Sequence, residues 1–192
     1  MIVENFDLMK RNALTKLDKS SKEGIDNRIE SLCNTINNRE DMFTLSSCSG
    51  RVSIKRVGEE LKKTKNIWIF MSHEKIEGEY IMEIIDGCGE KDLDFCTEGA
   101  IVHISCRSLD IAKELLILAK EAGFNQSGLI SWNKKIVLEI NVDSVINFPI
   151  KRDGKRIVDD KFIDNVVNMS NSCLNRSRES IDKLESKILD IL

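Results

Sequence analysis

Between Met42 and Ile150 the chain breaks into eight short runs rich in β-branched and aromatic residues, at Met42 to Leu45, Val52 to Val57, Ile67 to Ser72, Leu93 to Cys96, Ile101 to Ser105, Gly128 to Trp132, Ile136 to Ile140 and Val145 to Ile150. Runs of this length and composition predict strands. Only two helical stretches interrupt them, over 77 to 86 and 108 to 122. The second carries Leu109, Ala112, Leu115, Leu116 and Ala119 on one face, with Gly123 placed as its C-cap. A doubly wound parallel sheet needs a crossover helix for each strand pair, and this chain has too few. The expected class is therefore α+β.

Helices flank this β-rich region. Phe6, Met9, Ala13, Leu14 and Leu17 recur at helical spacing, and so do Ile25, Ile29, Leu32, Cys33 and Ile36, with a break near Ser20 and Ser21. From Asp159 onward the chain reads as one long helix, its apolar residues Phe162, Val166, Met169, Cys173, Ile181, Leu184, Ile188 and Ile191 lying near a 3.5-residue spacing. Unbroken, it would reach roughly 50 Å at 1.5 Å per residue. Packing on the domain or on a partner chain explains most of these positions and leaves oligomeric state open. It explains least the polar interruption Asn175, Arg176, Ser177 and Arg178. The expected organisation is one domain over 1–192, with a helical layer at 1–40, an α+β core at 41–157 and the long helix at 158–192. A chain of 192 residues can bury such a core without staples.

No run approaches the roughly 18 apolar residues that a membrane span needs, and Met1 to Asp7 holds no basic region followed by an apolar stretch. The expectation is a soluble, cytoplasmic protein that meets no membrane. Its six cysteines are scattered and suit reduced thiols rather than a disulfide framework. A net charge of -3 lacks the overall basic footprint of a nucleic-acid binder, so an RNA role would rest on local patches. Two such patches exist: Arg51, Lys55, Arg56, Lys62, Lys63 and Lys65 outnumber Glu59 and Glu60, and a second runs from Lys151 to Arg156. Both read more simply as solvated loops or lysine-guarded strand edges.

Three polar clusters close or open strand-like runs. In Ser46, Ser47, Cys48, Ser49, Gly50 and Arg51, the glycine would let backbone approach a ligand, the serines and amides suit an anion nest, and the arginine is a fork for phosphate or carboxylate. A serine-rich hairpin turn is the plainer alternative. A nucleophilic Cys48 served by a histidine is a third. The chain has two histidines, His73 closing one run and His103 following another, and each reads as a general base, a ligand-orienting donor or a structural residue. Cys88, Cys96, His103 and Cys106 lack the paired spacing of a zinc site, so no metal is expected. The stretch from Ile84 to Glu90 imitates the glycine-rich turn of doubly wound methyltransferases but has Asp92 in place of the third glycine. It reads better as a turn between helix and strand.

In this order and at these separations the clusters resemble the wybutosine-synthesis N4-methyltransferase family of archaea and eukaryotes. The carriers are Asp41 with Phe43 and Thr44 leading into Ser46 to Arg51, then Trp68 and His73, then His103 with Cys106 and Arg107. Ala122, Gly123 and Phe124 with Ser127 and Gly128 add to it, as do Asn175 and Arg178 in the last helix, so that the likeness covers nearly the whole chain. The chain departs from the pattern at Phe95 to Ala100, which lacks a proline and a second aromatic, and at Met169, where an asparagine is expected.

The resemblance implies S-adenosylmethionine as methyl donor and a tricyclic guanosine derivative at position 37 of phenylalanine tRNA as acceptor. It also implies an unusual α+β fold, with a mixed β-sheet core, N-terminal helices and a long C-terminal helix, in place of the doubly wound methyltransferase fold. On that basis Ser46, Ser47, Cys48, Ser49, Gly50, Arg51, Ser127, Gly128 and Asn175 are candidates to bind cofactor or substrate. Arg107 and Arg178 are candidates to meet anticodon-loop phosphates, and His73 or His103 to take the proton or orient the base. The alternative from another class is a noncatalytic RNA-binding or scaffold protein.

Overall fold

A computed structural model describes residues 5–15, 26–58, 67–142 and 145–191. Among these residues the elements are α1 (Phe6–Leu14), α2 (Glu30–Asn38), β1 (Met42–Cys48), β2 (Arg51–Arg56), β3 (Trp68–Ser72), α3 (Gly78–Gly87), β4 (Leu93–Glu98), β5 (Ile101–Cys106), α4 (Leu109–Ala122), β6 (Gly128–Trp132), β7 (Ile136–Asn141), β8 (Val145–Arg152), β9 (Lys155–Arg156) and α5 (Asp160–Ile191). Leu17, the break at Ser20 and Ser21, Ile25, and the basic residues Lys62, Lys63 and Lys65 lie outside the described residues.

The strands form two antiparallel sheets, one ordered β1-β5-β7-β6 and the other β3-β2-β4-β8-β9. Strands β1 and β2 are joined by two residues but belong to different sheets, and β4 and β5 divide in the same way. The serine-rich segment is therefore a passage from one sheet to the other and not a hairpin. The chain falls into two compact units: residues 1–49, 100–143 and 177–192 make the first, and 50–99 and 144–176 the second.

In the first unit β5 alternates, with Val102, Ile104 and Cys106 fully buried and His103 between them half-buried. This two-residue period places one sheet face on a core; the other face is open around His103 but buried at Ser105, which stands between Phe43 and Val137. The core face meets Leu32, Cys33 and Ile36 of α2, Ala112, Leu115 and Ala119 of α4, and Ile181, Leu184 and Ile188 of α5. Ser108 caps α4 by accepting from the Ile111 amide at 3.3 Å. Gly123 ends that helix at φ 106°, a left-handed conformation that disfavours any Cβ.

The second unit buries Val52, Ile54, Leu93, Phe95 and Ile150 of its sheet against Ile81 and Ile85 of α3 and Ile163, Val166, Val167 and Leu174 of α5. α3 ends at Gly87 and the chain turns through Gly89 into β4, so the glycine-rich stretch is a helix-to-strand turn. The carbonyls of Ile85 and Cys88 at that helix end accept from the buried Lys151 ammonium, at 3.1 and 2.6 Å. No described helix is long and apolar enough to cross a membrane.

Candidate active site

The open face of the four-stranded sheet carries a polar row drawn from all four strands: Ser46 on β1, His103 on β5, Glu139 on β7 and Gly128 on β6, each in register with the next. Side chains opposite one another on neighbouring strands share a face and touch. Ser46 Oγ lies 2.9 Å from His103 Nδ1, and His103 Nε2 lies 3.0 Å from Glu139 Oε2. A carboxylate only accepts, so Nε2 carries the hydrogen. In the neutral ring Nδ1 is then the acceptor and the Ser46 hydroxyl donates to it. The β-bulge between Thr44 and Ser46 sets this register, because without the extra residue Leu45 would stand opposite His103. A Cβ placed on Gly128 would meet nothing within 4 Å among the described residues, which leaves room at the far end of the row.

The rest of the serine-rich cluster in this unit has other work. Ser47 lies opposite the buried Val102, on the core face, where its hydroxyl bonds the Cys33 thiol. Cys48 stands opposite Ile101 at the end of β1. Ser49 is buried, and both its amide (3.1 Å) and its hydroxyl donate to the Asp26 carboxylate, so the anion seat expected here is filled by the chain's own side chain. Ser127 donates to the Phe124 carbonyl at 2.6 Å and accepts from the Asn141 amide, which ties the turn before β6 to the end of β7.

Arg107 lies apart from the row. Its guanidinium forks onto Asp7, donates to the Glu40 carbonyl at 2.8 Å and lies 4.6 Å above the Phe6 ring. The Asp7 hydrogen bonds hold Arg107 above its ordinary pKa and hold Asp7 below its own. It lines an open depression of about 990 Å³ in which Lys10 and Arg39 face Glu40 and Asp41. The Asp7 carboxylate is exposed, so the pair is screened and exchangeable for another anion.

In the second unit the open sheet face bears Arg51 and Lys55 of β2, Glu98 of β4 and Trp68 of β3. Glu98 accepts from Arg51 Nε at 2.5 Å and from Lys55 Nζ at 3.2 Å. Both cations lie over the Trp68 indole, at 4.8 Å for Arg51 and 4.4 Å for Lys55. Burial raises the Glu98 carboxyl, but the hydrogen bonds and charges of Arg51 and Lys55 outweigh it and hold the group below its ordinary value. Ser53 sits between the two cations along β2, fully buried, and its hydroxyl has no hydrogen-bond partner among the described residues. Cys96, opposite Ser53, donates to Asn147 at 3.1 Å. His73 donates from Nδ1 to the carbonyl of Gly50 at 2.8 Å, and Gly50 adopts φ 101°.

The expected residues thus sort into groups. Ser46, His103 and Gly128 share one row, and Arg51 belongs to a cation cluster on the other sheet. His73 and Gly50 bond each other within the second unit. Asn175 and Arg178 share α5 but fall to different units. Glu139 and Glu98 were missed as site residues. Glu139 had a signal, since it is the lone charge in the apolar run Ile136 to Ile140. His103 and Cys106 occupy opposite faces of β5, with Cys106 in the core.

Comparison with known proteins finds that the family described as Methyltransferase TYW3 matches residues 8–190. The chain is 36% identical to a tRNA(Phe) 7-((3-amino-3-carboxypropyl)-4-demethylwyosine(37)-N(4))-methyltransferase of Thermococcus sibiricus, over 96% of this chain and 95% of that one. It is 30% identical to the tRNA wybutosine-synthesizing protein 3 homolog of Xenopus laevis, over 95% of this chain and 74% of the other. Among solved structures, the PH1069 protein of Pyrococcus horikoshii superposes with a TM-score of 0.87 at 30% identity, covering 96% of both chains.

Proposed function

The chain belongs to the Methyltransferase TYW3 family, and on that premise we propose that it methylates the N4 ring nitrogen of a 4-demethylwyosine-type guanosine derivative at position 37 of phenylalanine tRNA, with S-adenosylmethionine as donor. The observation that carries the reading is the match over residues 8–190, to which near full-length relatives named for this reaction add support. The α+β fold, unlike a doubly wound methyltransferase, agrees with the solved relative.

The residues present fit such a donor and acceptor. Gly128 leaves room beside a carboxylate and an imidazole, a setting that suits a positively charged sulfonium. On the other sheet the buried, unsatisfied Ser53 hydroxyl lies on the strand that carries Arg51, where a ligand's polar atom could satisfy it. When bound, the donor supplies an electrophilic methyl group, and the protein must hold the acceptor in line, exclude water and manage one proton. Arg51, oriented by Glu98, suits a phosphate or carboxylate, and the cation-bearing face of Trp68 suits a nucleobase splayed from an RNA loop. Arg107 and Arg178 suit further anticodon-loop phosphates, and His73 fixes the backbone at Gly50.

Calorimetry with S-adenosylmethionine, with S-adenosylhomocysteine for comparison and with and without tRNA lacking the N4 methyl, tests the reading. Stoichiometric donor binding and methyl transfer to that tRNA are expected. Tight tRNA binding with no donor binding in either condition would replace this reading with a noncatalytic RNA-binding role.

A further inference from the structure

We propose that Ser46, His103 and Glu139 form a proton relay, in which His103 takes the proton released by the acceptor nitrogen and Glu139 is the positioning residue that makes it the base. The inference rests on the methyltransferase reading. Exchange of N–H for N–CH3 releases one proton. The nitrogen's lone pair forms the new N–C bond while the S–C pair returns to sulfur, and the proton shed by the nitrogen passes to His103 Nδ1.

Three features of the row support this assignment. Glu139 accepts from Nε2 and so leaves Nδ1 as the basic atom, and its negative charge offsets the imidazolium that forms on protonation. Nδ1 meets the hydroxyl of Ser46, an exposed residue on the open face, so a substrate N–H can donate to Nδ1 in its place or through it. The alignment is also local and specific: the bulge at Leu45 brings the hydroxyl rather than a leucine opposite the ring, and Glu139 is the only charge in β7. His73, by contrast, gives its Nδ1 hydrogen to the main-chain carbonyl of Gly50 and fixes a turn.

Two histidines make the test direct, since each imidazole can be assigned in nitrogen-15 spectra from a His73→Gln or His103→Gln variant. The wild-type protein is expected to hold His103 in the Nε2–H tautomer, Ser46→Ala to keep that tautomer and Glu139→Ala to mix it. Glu139→Gln, which still accepts a hydrogen bond but carries no charge, should lower kcat by about 10²-fold with KM unchanged, and Glu139→Asp should restore part of the loss. An Nδ1–H tautomer in the wild type, or a Glu139→Ala variant with full kcat, would overturn the relay. A wild-type protein that shows the expected tautomer yet transfers no methyl to demethylated tRNA would overturn the methyltransferase reading instead.

Discussion

Arg51 of β2 donates to the carboxylate of Glu98 on β4, and the carboxylate holds the guanidinium 4.8 Å from the Trp68 ring centre. Lys55 reaches the same carboxylate and the same indole. One acidic residue thus sets two cations over one aromatic face. The arrangement keeps both cations pre-oriented, which lowers the entropy a polyanion must remove on binding.

This clamp should be visible in acid. The Glu98 pKa is lowered in the folded protein, so its stabilising share is complete above the ordinary carboxylate value of 4.5 and is lost as pH falls through the lowered folded value. Melting curves taken from neutral to acid pH should show a shallower acid limb for Glu98→Gln than for the wild type. Parallel limbs would mean that the clamp contributes nothing to folding.

Trp68→Ala should weaken binding of the modified tRNA by about 1–3 kcal/mol if a base stacks on the indole, with Trp68→Phe keeping most of the affinity. Filter binding or calorimetry at fixed salt reads the difference. Equal affinity for both variants and the wild type would remove Trp68 from the binding surface.

Gly123→Ala should destabilise the protein. The residue has φ 106°, and an added Cβ would approach Ser180 Oγ to 2.7 Å. The left-handed conformation costs a residue with a Cβ about 1–2 kcal/mol, or a fall of about 2–8 °C in Tm. Adding Ser180→Ala relieves the close approach but not the backbone, so the double variant should recover only part of the loss. An unchanged Tm would show that the turn can adopt another conformation.

Three thiols should resist alkylation until the protein unfolds. Burial pushes Cys106 up to about 12 and raises Cys33 and Cys96 as well, so little thiolate is present near neutral pH. Mass mapping after brief native alkylation should leave all three unmodified. Cys48→Ser should retain methyl transfer unless that thiol touches the ligand, whereas a thiol hydrolase would be inactivated by alkylation of one accessible thiol.

What the sequence makes legible follows from how locally each feature is encoded. Alternation in Ile101 to Ser105, the apolar stripe and terminal glycine of α4 and the long periodic run after Asp159 depend on near neighbours, and each element stands within a few residues of its expected place. The partition into two sheets is not local. Ser49 and Gly50 read as a tight turn, and nothing in a turn states whether the next strand pairs with the last one. Strand β9, two residues long, is too short to carry a period. At the site, His103 was visible as a rare residue after an apolar run, but its partners come from strands 57 and 36 residues away in sequence. The Asp26 carboxylate that fills the donors of Ser49 comes from 23 residues earlier in the chain, ahead of α2, a pairing that no local pattern states.

Neither unit corresponds to a continuous stretch of chain: one is assembled from three segments and the other from two. A break at any single point between Ser49 and Ser177 would therefore sever at least one of the two cores, so neither unit can be exchanged as one contiguous segment. Synthesis on the ribosome meets the same constraint. The core of the first unit includes Phe6 together with Leu184 and Ile188, and it cannot close until synthesis has passed Ile188.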